Sequence, residues 1–307
     1  VPGRSPTVSL GLNCFGEAPG GDWRGLLDLA RAAEAGGVDR VVVPDHVVNG
    51  ADVAGYPWGR FPTGSDGDWL EPLTVLSAVA AVTSTLRLGT GVLVAPARPA
   101  AVLAKVVATL DVLSAGRVDL GVGTGWQRAE LEAAGVDFDR RGQVLTDTVA
   151  ACRALWAGGP TTFDSPTVWL RDVWCAPVPV QPRLPVWFSG TLHGRNVERI
   201  VRLGDGWIPI MGTTAAGLRE GTQLLRAAFA DAGRDPAALT VRAMTTPVVV
   251  DGAVDVGATA ERFAELCDAG ATDVAVNQRS AVPGPVTAAA LERAASALAE
   301  AARRVAP

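Results

Sequence analysis

Histidine is scarce in this 307-residue chain: only His46 and His193 occur, and neither belongs to a cluster of ligands at zinc spacing. No metal centre is expected. Cys14, Cys152, Cys175 and Cys267 stand far apart without a CxxC pair, which argues against a disulfide framework. Long apolar runs are missing as well. Uninterrupted apolar stretches reach about 5–12 residues, short of the ~20 that a membrane helix requires, and the first residues show no basic-then-apolar leader. The expectation is a cytoplasmic protein with no membrane partner. The net charge of −5 has no block of like sign behind it, because Arg alternates with Asp and Glu, so nucleic acid is excluded as the main partner. There is no GxSxG elbow for a serine nucleophile. There is also no GxGxxG between the first strand and the first helix, the mark of a doubly wound dinucleotide-binding sheet.

What is present is the composition of one large core, 48% hydrophobic and 19% charged, in a single domain spanning 1–307. Periodicity predicts strands at 9–12, 40–43, 86–94, 117–122, 185–188, 207–210, 241–250 and 273–276. Helices are predicted at 23–35, 71–82, 99–113, 140–156, 194–203, 216–232, 258–269 and 286–304. The strands are mostly short apolar runs without polar alternation, as in a parallel sheet covered on both faces. Eight strand–helix units imply a closed (β/α)₈ TIM barrel. Two segments interrupt the alternation. Residues 49–69 are rich in Gly, Pro and Asp, carry Tyr56, Trp58, Phe61 and Trp69, and follow the second strand, so they read as a lid on the catalytic face. Residues 161–183 read as a hairpin or extended insertion that either covers the site or packs outside it.

Four constellations fall at strand ends. Val43-Pro44-Asp45-His46 carries a buried strand into an Asp-His pair, where an imidazole can exchange a proton with a bound substrate; a loop hydrogen-bonding pair is the plainer alternative. Gly89-Thr90-Gly91-Val92 places two glycines within a strand, which marks either a bulge approached by a ligand or a tight helix contact. Gly121-Val122-Gly123-Thr124-Gly125-Trp126 offers bare backbone for a flat ring and an indole to stack on it. Ser189-Gly190-Thr191 precedes His193-Gly194-Arg195 and a helix N-terminus, which suits a phosphate as well as an ordinary capped loop. Thr191 is compatible with a capping role in either case.

Together these motifs resemble the luciferase-like monooxygenase superfamily. The run Val43 to His46, then Glu71-Pro72-Leu73, then Leu86 to Pro96 carries the likeness. The stretch from Lys105 to Trp126 and the run Leu203-Gly204-Asp205-Gly206-Trp207 are similar to its deazaflavin (coenzyme F420) branch. The likeness covers residues 7–210 and fades beyond. It implies a TIM barrel whose cofactor ring lies over Gly91 and Val92, at a non-prolyl cis peptide between the two. It further implies that Asp45 and His46 contact the deazaflavin with His46 as proton donor or acceptor. By the same likeness, Gly123, Gly125 and Trp126 flank the ring, and Ser189, Gly190 and Thr191 hold the phosphate. Some sugar-phosphate dehydrogenases of the branch have Glu where Trp126 stands, so their substrate is not carried over.

The expected activity is hydride transfer between deazaflavin C5 and an activated C=C or C=N bond, or between an alcohol and a carbonyl. An FMN-dependent monooxygenase using oxygen is the alternative cofactor reading, and a flavin- or deazaflavin-binding protein without turnover is a third. Asn13, Tyr56, Trp58 and Trp69 are the expected substrate contacts. Arg60 is the lid's one cation, which points to an apolar or extended substrate, a small molecule or a peptide derivative. The apolar helices at 73–82 and 102–113 suggest a homodimer.

Overall fold

The computed structural model describes residues 5–305; the first four and last two residues of the expected domain lie outside it. Eight strands form the barrel: β1 (Thr7–Gly11), β2 (Arg40–Val43), β3 (Arg87–Thr90), β4 (Val118–Gly123), β5 (Val186–Ser189), β6 (Gly206–Ile208), β7 (Thr240–Thr245) and β8 (Asp273–Asn277). Eight helices alternate with them: α1 (Gly25–Ala35), α2 (Pro72–Val82), α3 (Ala100–Leu113), α4 (Arg141–Trp156), α5 (Gly194–Leu203), α6 (Ala215–Asp231), α7 (Val256–Asp268) and α8 (Ala288–Arg304). Each barrel pairing is parallel, and β1 lies between β2 and β8. The ring closes where β3 meets β4, through Leu88 opposite Val118 and Gly89 opposite Asp119. This is the (β/α)₈ barrel the alternation predicts.

Strands such as β2 are buried at every residue because helices cover them outside and side chains fill them inside. The helix ends follow local chemistry. Glu71 caps α2 by accepting from Thr74 N at 2.7 Å, with Pro72 at the first helical position. Two strands depart from expectation. The predicted 86–94 strand breaks after Thr90, where the Gly91–Val92 peptide is cis, and the chain rejoins the sheet as Leu93–Val94 beside Val122 and Gly123. The predicted 241–250 strand stops at Thr245, two residues before Pro247, and Val249–Val250 instead pairs with Ala253–Val254 in a separate ribbon.

The two interruptions behave differently. Residues 49–69 lie over the C-terminal ends of the strands, tied down by Gly50 N donating to Gln127 Oε1 at 2.8 Å and Gly16 N to Asp68 O at 2.9 Å. In the other, Thr161–Asp164 and Trp169–Val173 form an antiparallel hairpin. Its turn is fastened to α4 by Thr167 Oγ1 donating to Asp147 at 2.7 Å, and none of its residues borders the central cavity. Of the two placements the sequence leaves open for 161–183, the structure shows the outer one, because α4 offers the hairpin a surface away from the cavity.

Below the cavity, charged side chains replace hydrocarbon in the barrel interior. Arg40 of β2 pairs with Asp119 of β4 at 2.7 Å and with Asp273 of β8. Neither partner strand adjoins β2, so these contacts cross the barrel. Arg87 adds a bond to Asp119 at 2.6 Å, and Arg242 of β7 adds one to Asp273 at 2.8 Å. Burial by itself would raise both aspartates, but the arginines hold each below its ordinary value.

Candidate active site

A cavity of about 410 Å³ opens at the C-terminal ends of the strands, and all eight strands or the loops leaving them contribute to its wall. That volume falls in the range of about 300–1,000 Å³ typical of small-molecule sites. The wall is mainly apolar, with Leu12, Val92, Ile208 and Met244 among its residues. A separate open depression of about 840 Å³ is formed by residues 53–64 of the lid alone and contains no strand-end side chain.

His46 leaves the end of β2 and is 8% exposed. Its Nδ1 lies 2.9 Å from Glu130 Oε2, and the other carboxylate oxygen accepts from Val47 N at 2.7 Å. Trp126 Nε1 faces His46 Nε2 at 3.4 Å. A carboxylate only accepts and an indole N–H only donates, so this network assigns the proton to Nδ1 and a lone pair to Nε2. The indole bond is long for N–H donation, which leaves Nε2 available to a ligand atom. Around the imidazole stand Trp69, Phe61 and Trp126, with ring centroids 4.7, 5.2 and 6.0 Å away. Tyr56 bridges Trp126 and Trp58 at 5.3 and 5.4 Å, and Trp69 stacks on Phe15 at 4.4 Å. The lid thus forms an aromatic roof over His46.

Asp45 borders the cavity, but its carboxylate is committed elsewhere. It accepts from Val94 N at 2.8 Å and from both terminal nitrogens of Arg98, at 2.7 and 3.0 Å. Arg98 also donates to Glu71 at 2.8 Å. Burial works to lower Arg98, yet these two carboxylates outweigh it and push the guanidinium up. Asp45 therefore ties the end of β2 to the strand segment beyond the cis peptide.

The glycines act less directly than bare backbone under a ring. A Cβ on Gly123 would lie 2.8 Å from Val92 Cγ2, and one on Gly125, where φ is +76°, would lie 2.8 Å from Val94 Cγ1. Both glycines therefore make room for the bulge, whose valines form the wall. Ser189 and Gly190 border the cavity, with Gly190 at φ +123° and its carbonyl accepting from Trp207 Nε1 at 2.8 Å. Thr191 is exposed, does not border the cavity and does not cap α5, whose N-cap is His193. Its carbonyl instead accepts from Asn196 Nδ2 at 3.0 Å.

The cavity therefore gathers Asn13, Asp45, His46, Tyr56, Trp58, Trp69, Gly91, Val92, Gly123, Gly125, Trp126, Ser189 and Gly190, and leaves out Thr191. Sequence reasoning missed Glu130, Phe15 and Arg242. Glu130 sits on a short helix, Arg128–Ala133, between β4 and α4, and is fully buried, whereas Glu132 two residues on is exposed. Nothing local separates the two carboxylates. Arg242 did leave a signal, a charge inside an apolar strand.

A flat, largely apolar cofactor fits this donor set. Trp69 borders the cavity, and its Nε1, like Asn49 Oδ1 and Thr63 Oγ1 of the lid, is buried without a hydrogen-bond partner among the described residues. The model of the luciferase-like monooxygenase family matches residues 8–306. An uncharacterized protein of Mycobacterium tuberculosis is 35% identical over 251 residues, 80% of this chain and 84% of that one. The phthiodiolone/phenolphthiodiolone dimycocerosates ketoreductase of the same species is 35% identical over 179 residues, 57% of this chain and 46% of that one. Among solved structures, an F420-dependent secondary alcohol dehydrogenase in complex with an F420-acetone adduct superposes with a TM-score of 0.75. It is 17% identical and covers 96% of this chain and 99% of its own.

Proposed function

Since the chain belongs to the luciferase-like monooxygenase family, we propose that it is a coenzyme F420-dependent oxidoreductase acting on a carbonyl or an activated C=C or C=N bond. The supporting observation is His46, with Nδ1 held by a buried carboxylate and Nε2 open to an apolar, aromatic-roofed cavity. Bound deazaflavin would supply hydride from C5, and reduction of a carbonyl, C=C or C=N bond then needs a proton at the neighbouring atom. In its imidazolium form His46 delivers that proton from Nε2 in reduction, and in the neutral form seen here its Nε2 takes one from an alcohol in the reverse direction. Glu130 pairs with the imidazolium, which is the starting form in reduction and the product in oxidation. Val92, Val94, Gly190 and the tryptophans would seat the ring, and the lid excludes water from the reacting atoms. A ketoreductase among the relatives and an alcohol dehydrogenase among the structural neighbours support the carbonyl–alcohol form of the reaction.

The family's monooxygenases make FMN the competing cofactor. Equilibrium titration of the purified protein with the deazaflavin and, separately, with FMN, followed by fluorescence, decides between them. Micromolar or tighter deazaflavin binding with much weaker FMN binding is expected. Preference for FMN would replace the reductase by an oxygen-using enzyme.

A further inference from the structure

The floor of the cavity holds a cation that this mechanism does not use. Arg242, on β7, is 3% exposed yet borders the cavity beside Val42 and Ala275. Its Nε donates to Asp273 Oδ1 at 2.8 Å, and its guanidinium carbon stands 4.2 Å from the centroid of the Trp187 ring. Among the described residues, nothing accepts a hydrogen bond from either Nη. Asp273 is already engaged on both oxygens by Thr7, Ser9 and Arg40 as well as Arg242. The surrounding charges do not balance, because Arg40, Arg87 and Arg242 share only Asp119 and Asp273. A buried guanidinium with free donors and a surplus positive charge is stabilised by an incoming negative oxygen and penalised by hydrocarbon.

We propose that Arg242 is a specificity-determining binding residue that receives a negatively charged oxygen of the ligand at the cavity floor. The inference rests on the reading of this cavity as the cofactor and substrate site. Two sources share the chemistry: an oxygen of the cofactor ring, which carries more negative charge when reduced, and a carboxylate or oxyanion on the substrate. The side chain enters from the floor, opposite the lid, so it selects the end of the ligand that goes in first. The ligand is then anionic at its inner end and apolar or aromatic under the roof.

The test is calorimetric titration of the cofactor-free protein with benzoate and with benzamide, its neutral analogue, in the wild type, Arg242→Gln and Arg242→Lys. It is paired with the midpoint potential of bound cofactor in the same proteins. A substrate carboxylate predicts that benzoate binds the wild type at least tenfold tighter than benzamide. That preference is lost in Arg242→Gln and partly kept in Arg242→Lys. A cofactor oxygen predicts instead a lower potential in Arg242→Gln, because the lost cation favoured the more negative reduced form. A benzoate preference that survives Arg242→Gln, or no preference together with an unchanged potential, overturns the proposal. If Arg242→Gln fails to fold, Arg242→Lys and the wild-type comparison of the two probes decide. Failure of both cofactors to bind would sink the cofactor reading but leave the benzoate arm intact.

Discussion

At the scale of the residue, the proposed chemistry is concentrated in one imidazole and the carboxylate behind it. His46→Ala should lower kcat by about 10²–10⁴-fold, the usual share of general acid–base catalysis, while leaving cofactor affinity within about twofold. Unchanged turnover would remove His46 as the proton carrier, and a wild type that binds the cofactor with no turnover would favour a binding protein without catalysis. Glu130 is a positioning residue, because it touches the imidazole and Val47 N and does not border the cavity. In Glu130→Gln, kcat should fall about 10–100-fold, part of that same contribution, with KM and cofactor Kd nearly constant. It should add little to His46→Ala in a double-mutant cycle. A rise in KM with unchanged kcat would show that Glu130 merely holds the loop. His46 was legible in the sequence because it ends an apolar strand, which in a barrel places it on the catalytic face. Glu130 was not, because its burial depends on a contact 84 residues away.

At the scale of the element, the strand ends are built around backbone crowding. Gly121 lies where a Cβ would stand 2.2 Å from Thr90 O, an approach that no side-chain motion relieves. Gly121→Ala should therefore cost about 1–3 kcal/mol or more, as overpacking does, and lower the melting temperature. Gly55→Ala in the lid, with nothing within 4 Å of its Cβ, is the matched control and should change stability by less than about 0.5 kcal/mol. Equal melting temperatures for the two variants would contradict the packing account. The glycine pairs Gly89 and Gly91, and Gly121 and Gly123, announced a special backbone in the sequence. Which atoms claimed the space was decided by the neighbouring strands, with Val42 and the valines of the bulge filling it.

At the scale of the whole molecule, the barrel interior below the cavity is ionic, and stability follows its carboxylates. Asp119 and Asp273 are held below the ordinary value of 3.8, so each is ionised at lower pH folded than unfolded. Their stabilisation is fully present above that ordinary value and is lost as pH falls through the lower folded values. Chemical denaturation should give a nearly constant contribution from them above about pH 5 and a decline below about pH 4. Asp273→Asn should flatten part of that decline and cost about 3–5 kcal/mol at neutral pH, because it breaks a buried ion-pair network. Outside the barrel, α2 turns small or polar residues to solvent, whereas α3 exposes Val102, Val106 and Leu113. If the proposed homodimer forms, it uses α3. Sedimentation at micromolar concentration should then show twice the 31.6 kDa chain mass, and Leu113→Arg should shift it toward monomer. A wild-type monomer would remove the dimer. The sequence by itself determined the strand–helix order, the barrel, the aromatic lid and the place of His46 at a strand end, because each follows from local periodicity and from the rule that places strand ends on one face. Tertiary structure alone decided that Glu130 stands behind His46, that Asp45 serves Arg98, that the 161–183 hairpin stays outside, and that Arg242 enters the cavity floor. Those outcomes depend on distant strands meeting across a closed barrel, and no local pattern encodes which partner a buried charge will find.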